Sequence, residues 1–268
     1  MGAFAGLDVD YIESRLTSGV VGRKVLLYRS TSSTSDIVWE YASNAENDGI
    51  CVFAEEQAAG RGRQGRRWIS PAGESILCSI LLLNLQVESE MVTLATAVAV
   101  AETVDGYVRG QTQIKWPNDI CVDGRKVAGI LVETRPDRPT KDYVVGIGIN
   151  CHQDAAFFGG LSLRAPATSV DMEGNGGVDR NGLAADVLNA VDRWIEKARG
   201  ESGAVIARWK EMSRLLGAHV VLEYDQRRFA GHCVGVDPVK GLILQLERGG
   251  VRMFDAAHTT MVRQMTLA

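Results

Sequence analysis

The sequence predicts an α+β protein with a small all-β unit at its C-terminal end. Three observations carry this. Residues 1–215 interleave short apolar runs with two segments of helical period. Residues 216–268 contain only short strand-like runs separated by turns. Between two apolar runs lies one arginine- and glycine-rich stretch, G-R-G-R-Q-G-R-R-W, residues 60–68. A basic loop flanked by buried strands belongs to a site rather than to a solvated tail.

Val25 to Tyr28 reads as the first strand. The polar run Ser30 to Ser35 is rich in helix-capping residues and predicts a helix from Asp36 to about Ala45. Ile50 to Ala54 is a second strand, and Ser75 to Leu83, apolar on both faces, is a central one. Met91, Leu94, Ala95, Val98, Ala101, Glu102 and Val104 recur at helical spacing, which predicts a helix buried on one side. Ile114 to Trp116 leads into Lys115-Trp116-Pro117-Asn118-Asp119. Ile120 to Val122 and Val127 to Glu133 flank Asp123-Gly124, a hairpin signal. Tyr143 to Ile149 is a further strand, and residues 159–177 read as loop. Leu183, Val187, Leu188, Val191, Trp194 and Ile195 mark a second amphipathic helix. Beyond Leu216 the strands are His219–Tyr224, Arg227–Val236, Leu242–Glu247 and Val251–Phe254, with turns at residues 238–241 and 249–250. Fifty residues of this texture predict a small barrel.

The 268 residues are 46% hydrophobic, enough for a sizeable core, with a formal net charge of −4. The pI of about 5.7 disfavours bulk binding of nucleic acid. Five scattered cysteines lack C-x-x-C spacing; four lie in apolar strand-like runs, which predicts buried free thiols and a reducing, cytoplasmic setting. The four histidines lack metal-ligand spacing. No apolar run reaches the ~20 residues that span a bilayer. The N-terminal residues do not form a signal peptide, and the stretch before the first strand is too short for a DNA-reading helix-turn-helix.

The chemistry gathers in five places. Gly60, Gly62 and Gly65 let backbone approach a ligand, while Arg61, Arg63 and Arg66 are forked donors suited to carboxylate and phosphate, and Trp68 offers a stacking face. Lys115, Asn118 and Asp119 crowd a strand end. Lys126 opens a strand, K-V-A-G-I-L-V-E, that contains Gly129 and ends at Glu133. Gly146, Gly148 and Asn150 close another. Ser33, Thr34 and Ser35 start a helix, and Gln57 precedes the basic loop. Taken singly, each has a plain structural explanation: a solvated lysine, a turn, a cap.

In this order the motifs resemble the biotin protein ligase family, from about Val25 to Arg263. The resemblance implies a catalytic domain of the class II aminoacyl-tRNA-synthetase-like fold over residues 1–215. Over residues 216–268 it implies an SH3-like barrel. It implies the type without a DNA-binding domain, and a homodimer is common in the family. The family's usual S-T-N reads Ser33-Thr34-Ser35 here, and Ser32 stands where Asp is common.

The resemblance further implies two half-reactions. Biotin's carboxylate attacks the α-phosphorus of ATP, giving biotinyl-5′-AMP and pyrophosphate; a lysine of a biotin carboxyl carrier protein then displaces AMP. Lys126, Arg61 and Arg63 are the implied catalytic cations. Ser33, Thr34, Gln57, Gly60, Arg61, Lys126, Gly129, Gly146 and Gly148 would bind biotin. Arg63, Arg66, Trp68, Lys115, Asn118 and Asn150 would bind ATP. Mg²⁺ would accompany ATP, with Asp119 and Glu133 as weak candidate supports. Three alternatives remain at this point: a lipoate or octanoate ligase or transferase, an RNA-binding protein using the arginine loop, and a biotin-sensing repressor.

Overall fold

The computed structural model describes residues 6–135, 141–213, 215–237, 241–256 and 258–265. Helix α1 (Val9–Ser14) precedes strand β1 (Val25–Tyr28), helix α2 (Thr34–Glu40), strands β2 (Cys51–Ala54) and β3 (Ser75–Leu82), and helix α3 (Ser89–Asp105). Strands β4 (Thr112–Lys115), β5 (Asp119–Val122), β6 (Arg125–Thr134) and β7 (Tyr143–Asn150) follow. Then come α4 (Ala155–Gly159), α5 (Val170–Glu173), α6 (Arg180–Gly200) and α7 (Ser202–Ser213). The chain ends in β8 (His219–Tyr224), β9 (Arg227–Asp237), β10 (Gly241–Leu246), β11 (Val251–Phe254) and β12 (Thr259–Met265).

The first seven strands form one mixed sheet in the order β1-β2-β3-β7-β6-β5-β4. Only the β1–β2 pair is parallel; the other ladders are antiparallel. Strand β3, apolar at almost every position, lies inside the sheet and is buried along its whole length, as its two-faced apolar pattern requires. Successive side chains alternate between faces. Ile76, Cys78 and Ile80 share one core with Val98, Leu188 and Trp209 of the helical layer, whereas Val52, Leu81 and Val144 pack with Val38 and Trp39 of α2.

Helix α3 departs from the expected one-sided burial. Its Ala- and Val-rich sequence is buried on nearly every face, because α6 and α7 cover the side turned away from the sheet. Glu102 stitches these three helices together, accepting hydrogen bonds from Trp194 Nε1 at 2.8 Å and Arg208 Nε at 2.8 Å. Helix α2 starts two residues earlier than expected and ends at Glu40, and α7 was not anticipated. All five cysteines are buried.

The C-terminal strands form an antiparallel sheet ordered β11-β10-β9-β8-β12. The expected SH3-like barrel is therefore incorrect. Closure would need β11 and β12 to pair, and they stand at opposite edges of an open sheet. Register shifts at Ile243/Leu244 and Met261/Arg263 accentuate the twist without joining the edges. Strand β12 was also absent from the expectation. Of the predicted turn at residues 238–241, positions 238–240 lie outside the described residues. No helix among the described residues is long and apolar enough to cross a membrane.

Candidate active site beneath the basic loop

The site grows out of the sheet register. Gly129 of β6, Gly148 of β7 and Leu77 of β3 form one row across three strands; Leu131, Gly146 and Ser79 form the next. Both rows face the α2 side. Glycines there leave a depression in the sheet, and the basic loop folds over it. The loop is a short hairpin: Trp68 N–H donates to Gly60 O at 2.9 Å, Gly62 N–H donates to Arg66 O at 2.8 Å, and the chain reverses at Gln64 and Gly65, both at positive φ.

Loop and sheet touch through Trp68. A Cβ on Gly148 would lie 2.6 Å from Trp68 Cε2, and one on Gly129 would lie 3.1 Å from Trp68 Cζ3. The indole therefore rests on a floor that only glycine leaves open. Lys126 Nζ sits 5.5 Å from the centre of that ring and 2.5 Å from Asp119 Oδ1. Its backbone is pinned on both sides: Lys126 N–H donates to Pro166 O, and Lys126 O accepts from Thr168 N–H, each at 2.9 Å.

A cleft of about 430 Å³ runs under the loop. It is lined by Ser33, Thr34, Gln57, Arg61, Arg63, Arg66, Trp68, Lys115, Asn118, Asp119, Lys126, Gly129, Gly146 and Gly148, all anticipated from the sequence. Asn150, Gly60 and Glu133 stand apart from the lining. Asn150 is buried and donates from Nδ2 to Thr168 O at 2.9 Å, and Gly60 packs against the Trp68 backbone. Glu133 meets Arg61 at 3.4 Å. Ser35, named from the sequence with the hydroxyl run but left out of the biotin set, also lines the cleft; sequence reasoning missed Ser79, Arg164 and the C-terminal residues Glu223, Arg228 and Thr259 to Val262, which line it too. A serine inside an apolar strand gives no signal for Ser79, and Arg228 and Thr260 reach the site only through tertiary folding.

The cations are held differently. Arg61 pairs with Asp36 at 2.8 Å and with Glu133. Partial burial would lower its pKa, yet the hydrogen bond to Asp36 and the charge of Glu133 outweigh that and raise it. Arg63 is more enclosed, and burial lowers its pKa against the opposing pull of Asp119. It donates to Asn118 Oδ1 at 3.3 Å and, from Nη2, to Ala256 O in the turn between β11 and β12. A guanidinium stays charged through such shifts, so both remain cations at neutral pH. Burial also pushes up the thiol of Cys78, beside the cleft, so it stays protonated and a poor nucleophile.

Cations, hydroxyls and the Trp68 indole around one cleft suit a ligand with a neutral polar head and an anionic tail. Comparisons with known proteins agree. Residues 27–150 match the Biotin/lipoate A/B protein ligase family. The bifunctional ligase/repressor BirA of Bacillus spizizenii is 30% identical over 255 residues, covering 93% of this chain and 78% of that protein. The chain belongs to the biotin protein ligase family. A second relative in this family, the biotin–[acetyl-CoA-carboxylase] ligase of Mycobacterium tuberculosis, is 31% identical, over 86% of this chain and 82% of its own. A structure of biotin protein ligase from Aquifex aeolicus in complex with biotin and ATP shares the fold, with a TM-score of 0.74 at 23% identity. That match covers 89% of this chain and 98% of the other.

Proposed function

We infer that the protein is an ATP-dependent biotin–protein ligase. It activates biotin as biotinyl-5′-AMP and transfers it to a lysine of a biotin carboxyl carrier protein. The observation that carries the reading is Lys126, held by Asp119 in a cleft whose lining carries two sets of side chains. Ser33, Thr34 and Gln57 are neutral hydrogen-bonding groups, with Gln57 bound to Thr34. Arg63, Lys115 and Asn118 supply two cations and an amide, with Arg63 bound to Asn118.

The chemistry asks for this division. Two anions, a carboxylate and a triphosphate, must meet, and fixed cations offset their repulsion. Lys126 bridges the biotin carboxylate and the α-phosphate. The attacking carboxylate oxygen bonds to phosphorus, and pyrophosphate leaves with the electron pair of the broken P–O bond. Arg61 closes over biotin, Arg63 meets phosphate, and Trp68 stacks on adenine. The carrier lysine, as a free amine, then attacks the acyl carbon, and AMP leaves.

Mg²⁺ travels with the triphosphate and neutralises part of its charge. The described residues contain no cluster of three acidic, His or Cys side chains that would cage it. One carboxylate is enough for an ion held mainly by phosphates. Asp119, which lines the cleft, would supply it in place of Glu133. Strands β8, β9 and β12 complete the cleft wall through Glu223, Arg228 and Thr259 to Val262 and present it to the carrier. The family also carries the expectation of a homodimer, which sedimentation velocity reads directly.

The deciding assay is ATP–pyrophosphate exchange. Biotin is expected to stimulate it strongly, and lipoate and octanoate only weakly. Exchange driven by lipoate or octanoate and not by biotin would overturn the substrate.

A further inference from the structure

Lys126 stands where the central sheet changes partners. The β5–β6 ladder shifts register between Ile120 and Cys121, so Ala128 pairs with Ile120, Lys126 with Cys121, and Val127 is left over as a bulge. The β6–β7 ladder begins only at Ala128. At Lys126 the segment at residues 166–168 takes the place of β7. Ala167 forms a parallel bridge with Lys126, and Pro166 O and Thr168 N–H supply the two backbone hydrogen bonds. So short a neighbour needs other contacts to hold it, and they are polar. Asn150 Nδ2 donates to Thr168 O at 2.9 Å. The Thr168 hydroxyl donates to Glu173 Oε1, and Arg125 Nη2 donates to Glu173 Oε2 at 2.8 Å.

One carboxylate therefore joins the residue before Lys126 to the residue whose N–H bonds the Lys126 carbonyl. Thr168 and Glu173 are both buried. Glu173 is anchored in turn by its backbone: its N–H donates to Ser169 O at 3.2 Å, and its O accepts from Arg109 N–H at 2.9 Å. The partners of a carboxylate that served stability alone could lie anywhere; these two meet Lys126, one along the chain and one across the bridge. We propose that Glu173 is a positioning residue for adenylation, acting through Lys126. The proposal rests on the ligase reading above. Neither Thr168 nor Glu173 is among the residues that line the cleft, so neither is placed to touch biotin or ATP. By clamping Arg125 to Thr168, Glu173 fixes the strand at Lys126 and so the place of the ammonium. A misplacement on the order of 1 Å at a reacting centre can slow a reaction ~10²-fold.

The test uses the full chain with Glu173→Gln, Thr168→Val and Thr168→Ser, each alone and each combined with Lys126→Met. Glu173→Gln keeps the shape but leaves one acceptor oxygen for two donors. Thr168→Val removes the hydroxyl, and Thr168→Ser keeps it. Single-turnover formation of biotinyl-AMP and calorimetric binding of biotin are measured for each. Glu173→Gln and Thr168→Val should slow adenylation about tenfold or more while biotin affinity changes by less than about twofold, a loss of rate without a loss of ground-state binding. Thr168→Ser should restore the rate to within about threefold of the unaltered protein, since the donor is kept. In the Lys126→Met background the Glu173→Gln and Thr168→Val losses should shrink below about threefold, because the residue they position is gone. Larger losses in that background, the mark of a merely structural role, overturn the proposal. So do adenylation rates that stay within about threefold of the unaltered protein in both Glu173→Gln and Thr168→Val. Should Glu173→Gln fail to fold, Thr168→Val carries the same comparison. If the unaltered protein shows no biotin-dependent exchange, the ligase reading itself falls; with exchange intact, only the assignment of Glu173 is at stake.

Discussion

Lys126 is held by its backbone through the segment at residues 166–168, and its ammonium is held by Asp119 and lies over the Trp68 ring. A flexible side chain gains precision from such confinement, and precision is what a charge needs to act in a transition state. Lys126→Met should therefore fold and still bind biotin, while single-turnover formation of biotinyl-AMP slows by ~10²–10³. A fall of less than threefold would remove Lys126 from the reacting centre. Asp119→Asn should do less harm, because it releases the ammonium without removing it. At this scale the charged residues were legible in the sequence, since arginines, a lysine and a tryptophan set among glycines announce a ligand. Ser79 was not, and Ser35, though named with the hydroxyl run, gave no sign that it meets Ser79, 44 positions away; only the folded distances fix that contact.

The elements of the central sheet were legible because each carries its own periodicity: β3 by its two-faced apolar run, β5 and β6 by Asp123-Gly124, α6 by its stripe. Their pairing order was not legible, and that order builds the site. Gly129 and Gly148, nineteen positions apart in the chain, become neighbours only through the β6–β7 ladder. Their shared duty as a floor for Trp68 leads to a contrast between adjacent glycines. Gly148→Ala places a methyl 2.6 Å from the indole, so the ring must lift, whereas Gly146→Ala makes an ordinary contact away from it. Overpacking of this kind costs ~1–3 kcal/mol. Gly148→Ala should lower stability by that order in denaturant, shift Trp68 fluorescence relative to a Trp68→Phe control, and raise the KM for ATP. Gly146→Ala should leave the indole signal unchanged. Equal spectra for Gly148→Ala and the unaltered protein would show that the indole does not rest on this floor. The small barrel failed as an expectation for the same reason that the floor was invisible. Short strands and turns report antiparallel pairing between neighbours, while closure depends on whether the first and last edges meet, and the short strand β11 pairs with β10 alone.

At the scale of the whole molecule, the basic loop is held from two bodies of structure, and its two leading arginines divide the task. Arg61 ties the loop to Asp36 and Glu133 on the α2 side, through side chains that are partly exposed. Exposed pairs of this kind contribute little, ~0–1 kcal/mol. Arg63 is more enclosed, and it reaches to Asn118 and to Ala256 O in the turn between β11 and β12, next to the contact of Thr260 Oγ1 with Gln64 Oε1 at 3.1 Å. Asp255 braces that turn by accepting from the His258 backbone at 3.0 Å and from Tyr224 OH at 3.1 Å. Arg63 is thus the tether between the loop and the C-terminal sheet, and a mixed anhydride beneath the loop depends on that tether to stay away from water and stray amines. Arg63→Gly should leave Lys126 in place and adenylation measurable, yet speed release of biotinyl-AMP at least tenfold. The released adenylate should then label lysines of a bystander protein such as albumin. Arg61→Gly, cutting the more exposed pairs, should speed release less, and Thr260→Val should fall between the unaltered protein and Arg63→Gly. The measurements are adenylate off-rates by rapid filtration and bystander labelling by streptavidin blot. If Arg61→Gly leaks as fast as Arg63→Gly while Thr260→Val leaks no faster than the unaltered protein, the loop is latched from the α2 side, and the C-terminal sheet plays no part in retaining the intermediate.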